Sequence, residues 1–141
     1  MADEEAHRPL VTVGIDGSKA SETVLRWAAA HARHMNARIR VVLAWQFPEL
    51  PGYVPPRVES QLSAAAERVV ADLVEDLVDT EAETVVQEGG PVRLLLQQAR
   101  DADLLVLGRH GHGHADGKML GSVVSTCVMQ APCPVVVVPL E

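Results

Sequence analysis

The chain predicts a doubly wound α/β domain: one five-stranded parallel sheet with helices on both faces. Three observations lead there. Five short runs rich in Val, Leu and Ile alternate with four stretches whose apolar residues recur at helical spacing. The strand-like runs are apolar almost throughout, as befits parallel strands covered on both faces. Gly, Pro, Asp and Ser punctuate the joins.

Taken in order, Leu10–Ile15 reads LVTVGI and ends in Asp16-Gly17-Ser18. Ser18 fits the N-cap of a helix whose buried face is Val24, Leu25, Ala28, Ala32 and Met35. Residues 37–45 form the second strand. Pro48, Pro51, Gly52, Pro55 and Pro56 make 46–57 a loop. Trp45, Phe47 and Tyr53 either pack that loop on the sheet or line a ligand crevice. Residues 58–79 form a long amphipathic helix with Val58, Leu62, Ala65, Val69, Leu73 and Leu77 on one stripe. The acids opposite, Asp72, Glu75, Asp76 and Asp79, read as a solvated face.

Residues 83–87 make a third strand. Pro91 suits the first turn of the next helix, which buries Val92, Leu95, Leu96 and Ala99. Residues 103–107, DLLVL, are the fourth strand, and 108–117 are a loop of glycines and histidines. A last helix spans about 120–130, with Leu120, Val123, Val124, Cys127 and Ala131 at helical spacing, and Pro132-Cys133-Pro134 stops it. Val135–Val138 is the fifth strand. Right-handed crossovers wind such a chain into a sandwich. Its ligand crevice lies beyond the carboxyl ends of the strands, at the switch point.

At 141 residues the chain suits a single domain. Residues 9–141 are assigned to it and 1–8 to a disordered arm. Hydrophobic residues are 48% and aromatics only 3%, so aliphatic side chains must build the core. A net charge of −7 argues against a duplex nucleic acid partner, which needs a basic face. The polar start has no apolar h-region, and no apolar run approaches the ~20 residues of a membrane span. The expectation is a cytoplasmic protein. Cys127 and Cys133 lack metal-ligand spacing and read as small buried apolar residues.

If the first and fourth strands are neighbours, Asp16-Gly17-Ser18 faces Gly108-Arg109-His110-Gly111. Two familiar phosphate patterns fail. Between Gly113 and Gly117-Lys118 a P-loop is one residue short, and Met119 stands where its hydroxyl should be. Gly111-His112-Gly113 lacks the third glycine of a dinucleotide fingerprint. A longer pattern fits: Gly108-x-x-Gly111, nine residues, then Gly121-Ser122. Gly121 and Ser122 fall in the first helical turn, where unpaired N–H groups and the helix dipole hold an anion. A glycine-rich turn before a capped helix would show the same spacing.

With that pattern, Val13-Gly14-Ile15-Asp16-Gly17-Ser18 followed by Ser21, and Ala131-Pro132-Cys133-Pro134 before four valines, the chain resembles the ATP-binding universal stress proteins along nearly its whole length. The resemblance implies a Rossmann-like strand order 3-2-1-4-5 and ATP as ligand, with or without Mg²⁺. It implies Asp16 at the ribose and the Ala44 backbone at the adenine. Gly108 and Gly111 would run along the ribose and phosphates, with Arg109 and His110 between them. Gly121, Ser122 and the Val123 backbone would hold the terminal phosphates. Two residues depart from the pattern. Val124 stands where a Ser or Thr is often found, and Arg109 where a small residue is common.

His110, His112, His114 and Asp116 alternate along a loop and do not converge by spacing, so no metal site is assigned. They read instead as a polar loop over phosphates, with imidazoles that change charge near neutral pH. A receiver-domain reading fails, because the third strand ends in Glu88-Gly89-Gly90 and the fifth in Pro139-Leu140-Glu141. No activated nucleophile or acid–base pair emerges. The expectation is therefore a nucleotide-binding stress-response sensor, with at most slow ATP hydrolysis. The alternative is a nucleotide-free dimeric interaction protein of the same fold. Apolar Val135–Val138 at a sheet edge invites pairing, and the resemblance implies a homodimer through it.

Overall fold

The computed structural model describes residues 8–46, 55–80, 82–109 and 120–140. Nine elements alternate along it: β1 (Leu10–Ile15), α1 (Ala20–His34), β2 (Arg38–Trp45), α2 (Pro56–Leu77), β3 (Ala82–Glu88), α3 (Pro91–Gln98), β4 (Leu104–Gly108), α4 (Ser122–Gln130) and β5 (Val135–Val138). The strands form one sheet in the order β3-β2-β1-β4-β5, as expected. Every pairing is parallel, with Val13 opposite Val41 on one side and Val106 on the other.

Strand alternation divides the core in two. Val11, Val13, Ile39, Val41 and Val106 point to one face, where α1 and α2 cover them with Leu25, Ala28 and Val70. Val42, Leu105 and Leu107 point to the other, under Leu94 and Leu95 of α3 and Val124 and Cys127 of α4. Burial pushes both thiols up, and Asp103 adds to the effect at Cys133. No described helix is long and apolar enough to cross a membrane.

Several local expectations give way to tertiary context. Ser18 does not cap α1; its hydroxyl donates to Asp16, and Lys19 occupies the N-cap with no side-chain bond. Met35 is the exposed C-cap residue rather than core. The stripe on α2 is turned by about one position. Val69 and Ala65 are exposed, while Val70 is buried with Leu73, Val74 and Leu77 packed around it. In α3, Leu94 is buried with Leu95, and Val92 and Leu96 are only half-buried. The last helix starts at Ser122, leaving Leu120 exposed.

Candidate functional site

A cleft of about 390 Å³ opens at the carboxyl ends of β1, β2 and β4. Its place follows from topology. The chain leaves β1 toward β2 on one side, and β4 lies on the other, so the loops diverge and leave a crevice. Six residues singled out from the sequence line it together: Asp16, Ala44, Gly108, Gly121, Ser122 and Val123. Arg109 is described but is not part of this lining. His110 and Gly111, like the other loop histidines, lie outside the described residues.

The wall from β1 is a hydrogen-bonded turn. Asp16 Oδ1 accepts from the Ser18 N–H at 2.9 Å and from the hydroxyls of Ser18 and Ser21. The Ser21 hydroxyl in turn accepts the N–H groups of Asp16 and Gly17, at 3.2 and 3.1 Å. Gly17 sits at φ +81°, a conformation open to glycine and costly for other residues. Beneath the turn, Gly14 lets the chain pass close to α3. A Cβ there would come within 2.6 Å of Leu95 Cδ2 and 2.7 Å of Leu107 Cδ2.

The opposite wall is the start of α4. Gly121 is its N-cap, and its carbonyl accepts the first helical bond from Ser125 at 2.9 Å. The Gly121 N–H is already engaged by the Arg109 carbonyl at 2.9 Å, while the Arg109 N–H donates to Val138 at 3.0 Å. Arg109 thus fastens α4 and β5 to the end of β4 through its backbone. Beyond Gly121, the amides of Ser122, Val123 and Val124 have no acceptor within the helix, and all three residues line the cleft. Val124 accounts for its own lack of a hydroxyl. It is 6% exposed and packed in the α3–α4 core, so a donor there would compete with apolar burial. Its backbone N–H still belongs to the first turn.

Gln46, Pro91, Gly14 and Ser21 also line the cleft, and none of them was among the site residues expected from the sequence. Ser21 had a signal: serines two and five residues after an aspartate can both reach its carboxylate when a helix starts between them. Among the described residues no group of three His, Cys, Asp or Glu side chains is arranged to hold a metal ion.

The arrangement defines a class: a doubly wound α/β domain whose ligand-sized crevice lies between an aspartate turn and a helix N-terminus. The Universal stress protein family profile matches residues 9–139, and the chain belongs to that family. Universal stress protein Mb2028c of Mycobacterium bovis (strain ATCC BAA-935 / AF2122/97) is 34% identical over 134 residues, which cover 93% of this chain and 45% of that protein. Universal stress protein Rv2623 of Mycobacterium tuberculosis (strain ATCC 25618 / H37Rv) is 32% identical over 130 residues, 90% of this chain and 44% of that protein. The chain therefore spans about half the length of the curated relatives it matches. Among solved structures, a universal stress protein in complex with cAMP is 26% identical with a TM-score of 0.67, covering 93% of this chain and 96% of that one. A universal stress protein from Archaeoglobus fulgidus in complex with dAMP shares the fold at 23% identity and a TM-score of 0.59, covering 93% and 97%.

Proposed function

We propose that the cleft binds an adenine nucleotide, ATP in particular, and that the domain acts as a nucleotide-dependent regulatory module in a stress response. One observation carries the reading: the Asp16 turn, the end of β2 at Ala44, Gly108 and the first turn of α4 converge on a single crevice. Its size lies within the range of small-molecule sites. The two walls suit the two ends of a nucleotide, a carboxylate for ribose hydroxyls and helix amides with their dipole for phosphates. The donor set therefore fits ATP. A bound Mg²⁺ would be held through the phosphates and water more than through protein side chains. The complexes with cAMP and dAMP among the family's structures support an adenylate as ligand.

The test is direct. Heat-denatured protein should release ATP, ADP or AMP detectable by chromatography, or the emptied protein should gain thermal stability on adding Mg-ATP. A clean supernatant with no thermal shift would overturn the reading and leave the nucleotide-free interaction protein.

The same domain is proposed to form a homodimer through β5. This strand pairs only with β4 among the described strands, and Val135, Val136 and Val137 remain half-buried. An apolar edge strand is a template for pairing. Val137→Lys should shift the protein to a monomer in gel filtration, with circular dichroism confirming the fold. An unchanged elution volume rules the edge out as the interface.

A further inference from the structure

We infer that Ser21 is a positioning residue that sets how the cleft reads a ribose, by fixing the carboxylate of Asp16. The inference rests on the nucleotide reading above and extends it. Ser21 is 2% exposed, lies one residue inside α1, and yet lines the cleft. Its hydroxyl closes a ring of bonds around one residue. It donates to Asp16 Oδ1 at 3.1 Å and accepts the backbone N–H of Asp16 at 3.2 Å, with Gly17 N–H at 3.1 Å. Both the carboxylate and the peptide that carries it are thus held by one buried atom.

A carboxylate offers about four lone-pair sites, and its rotation about χ2 is soft when nothing holds it. The Ser18 N–H and hydroxyl belong to the same part-buried turn as Asp16 and move with it. Ser21 comes instead from the first turn of α1, a helix whose Val24, Leu25 and Ala28 are anchored in the core. It transmits the position of the packed helix to the carboxylate. A hydrogen bond between a charged acceptor and a sugar hydroxyl depends on that orientation, whereas phosphate binding at α4 does not pass through it. Loss of Ser21 should therefore weaken discrimination between ribose and deoxyribose far more than it weakens phosphate binding.

The experiment measures Kd for ATP, 2′-deoxyATP and 3′-deoxyATP by titration calorimetry on wild type and variants. In the wild type the larger of the two deoxy-to-ATP ratios should be about tenfold, the value of one charge-assisted bond. In Ser21→Ala it should fall below about threefold. Ser21→Cys, of similar volume with a weak thiol donor, should move the ratio the same way if the Ala variant does not fold. Thr12→Val is the control for stability alone. Thr12 is fully buried on β1, bonds the Gln98 carbonyl at 3.1 Å and does not line the cleft. It should lower the melting temperature and leave the ratio unchanged. A wild-type ratio kept in Ser21→Ala or Ser21→Cys, or an equal loss in Thr12→Val, overturns the inference and leaves nucleotide binding intact. A wild type that binds ATP and both deoxy analogues equally overturns it together with the placing of Asp16 at the ribose. Absence of binding to all three overturns the nucleotide reading itself.

Discussion

Gly121→Leu combined with Ser122→Glu will leave the protein folded and abolish adenine nucleotide uptake. The two effects have opposite origins, which makes the outcome informative. Gly121 has extended backbone angles, φ −67° and ψ 160°, that any residue adopts. It is buried and lines the cleft, so a leucine side chain intrudes on space a ligand needs. Ser122 is exposed at the first helical position. A glutamate there is favourable for the helix, since it faces the positive end of the dipole. It is unfavourable for a phosphate, which would meet a like charge instead of the amides. Two unit charges ~5 Å apart at an effective dielectric near 20 repel by about 3 kcal/mol, or roughly a hundredfold in Kd. A thermal melt should show stability unchanged or slightly raised, and calorimetry with Mg-ATP should show binding weakened at least about a hundredfold. Unaltered ATP binding in a folded double variant would mean that α4 does not hold the phosphates.

Most of the architecture could be read from the chain because parallel strands announce themselves. Runs such as Val41-Val42-Leu43 and Leu105-Val106-Leu107 are apolar on both faces, and both faces are in fact covered. The walls of the cleft were visible for a related reason. Asp16 and Gly108 interrupt apolar strands at their carboxyl ends, where a polar or absent side chain has no packing purpose. What escaped were choices between near-equivalent local options. On α2, Val69 and Val70 are adjacent valines, and only the sheet beneath decides which one is buried. At the start of α1, Ser18 has the chemistry of a cap, but Asp16 two residues earlier is a charged acceptor and takes its hydroxyl. The use of the Gly121 N–H by the Arg109 carbonyl, which leaves Ser122, Val123 and Val124 as the amides with no acceptor within the helix, depends on where the chain returns after β4. No spacing rule contains that information.

Arg40, one of two arginines in β2, yields the second large effect. Removing its two acidic partners should cost far more stability than removing the arginine itself. Arg40 projects from β2 toward α3 with its side chain only 10% exposed. It grips Asp101 with two bonds, at 2.8 and 3.1 Å, and Glu83 with one at 3.2 Å, and reaches the Gln98 carbonyl at the end of α3. Its partners are different in kind: the side chains of Glu83 and Asp101 are 55% and 64% exposed. In Arg40→Met the two carboxylates return to water and an apolar chain of similar length fills the space. The change at neutral pH should stay within about 1 kcal/mol, since exposed partners are well screened. In Glu83→Gln/Asp101→Asn the guanidinium stays buried without compensating charge, at a cost of about 3 kcal/mol.

The same ion pair contributes to the acid limb of the stability curve. The Arg40 guanidinium, chiefly through its hydrogen bonds, holds the Asp101 carboxyl below the usual carboxylate range. A depressed folded pKa contributes stability above the unfolded value and loses it as pH falls through the folded one. Wild type should therefore weaken as the pH drops below about 4. Arg40→Met should lack that share of the loss. The matching rise of the Arg40 pKa lies beyond the alkaline range in which the protein would be studied, so it adds no slope at neutral pH. Urea unfolding of the three proteins at neutral pH and at pH about 3 checks both statements. If Arg40→Met were as unstable as the double acid variant at neutral pH, the guanidinium would be holding α3 by its bond to the Gln98 carbonyl rather than by charge, and the asymmetry between the two variants would not exist.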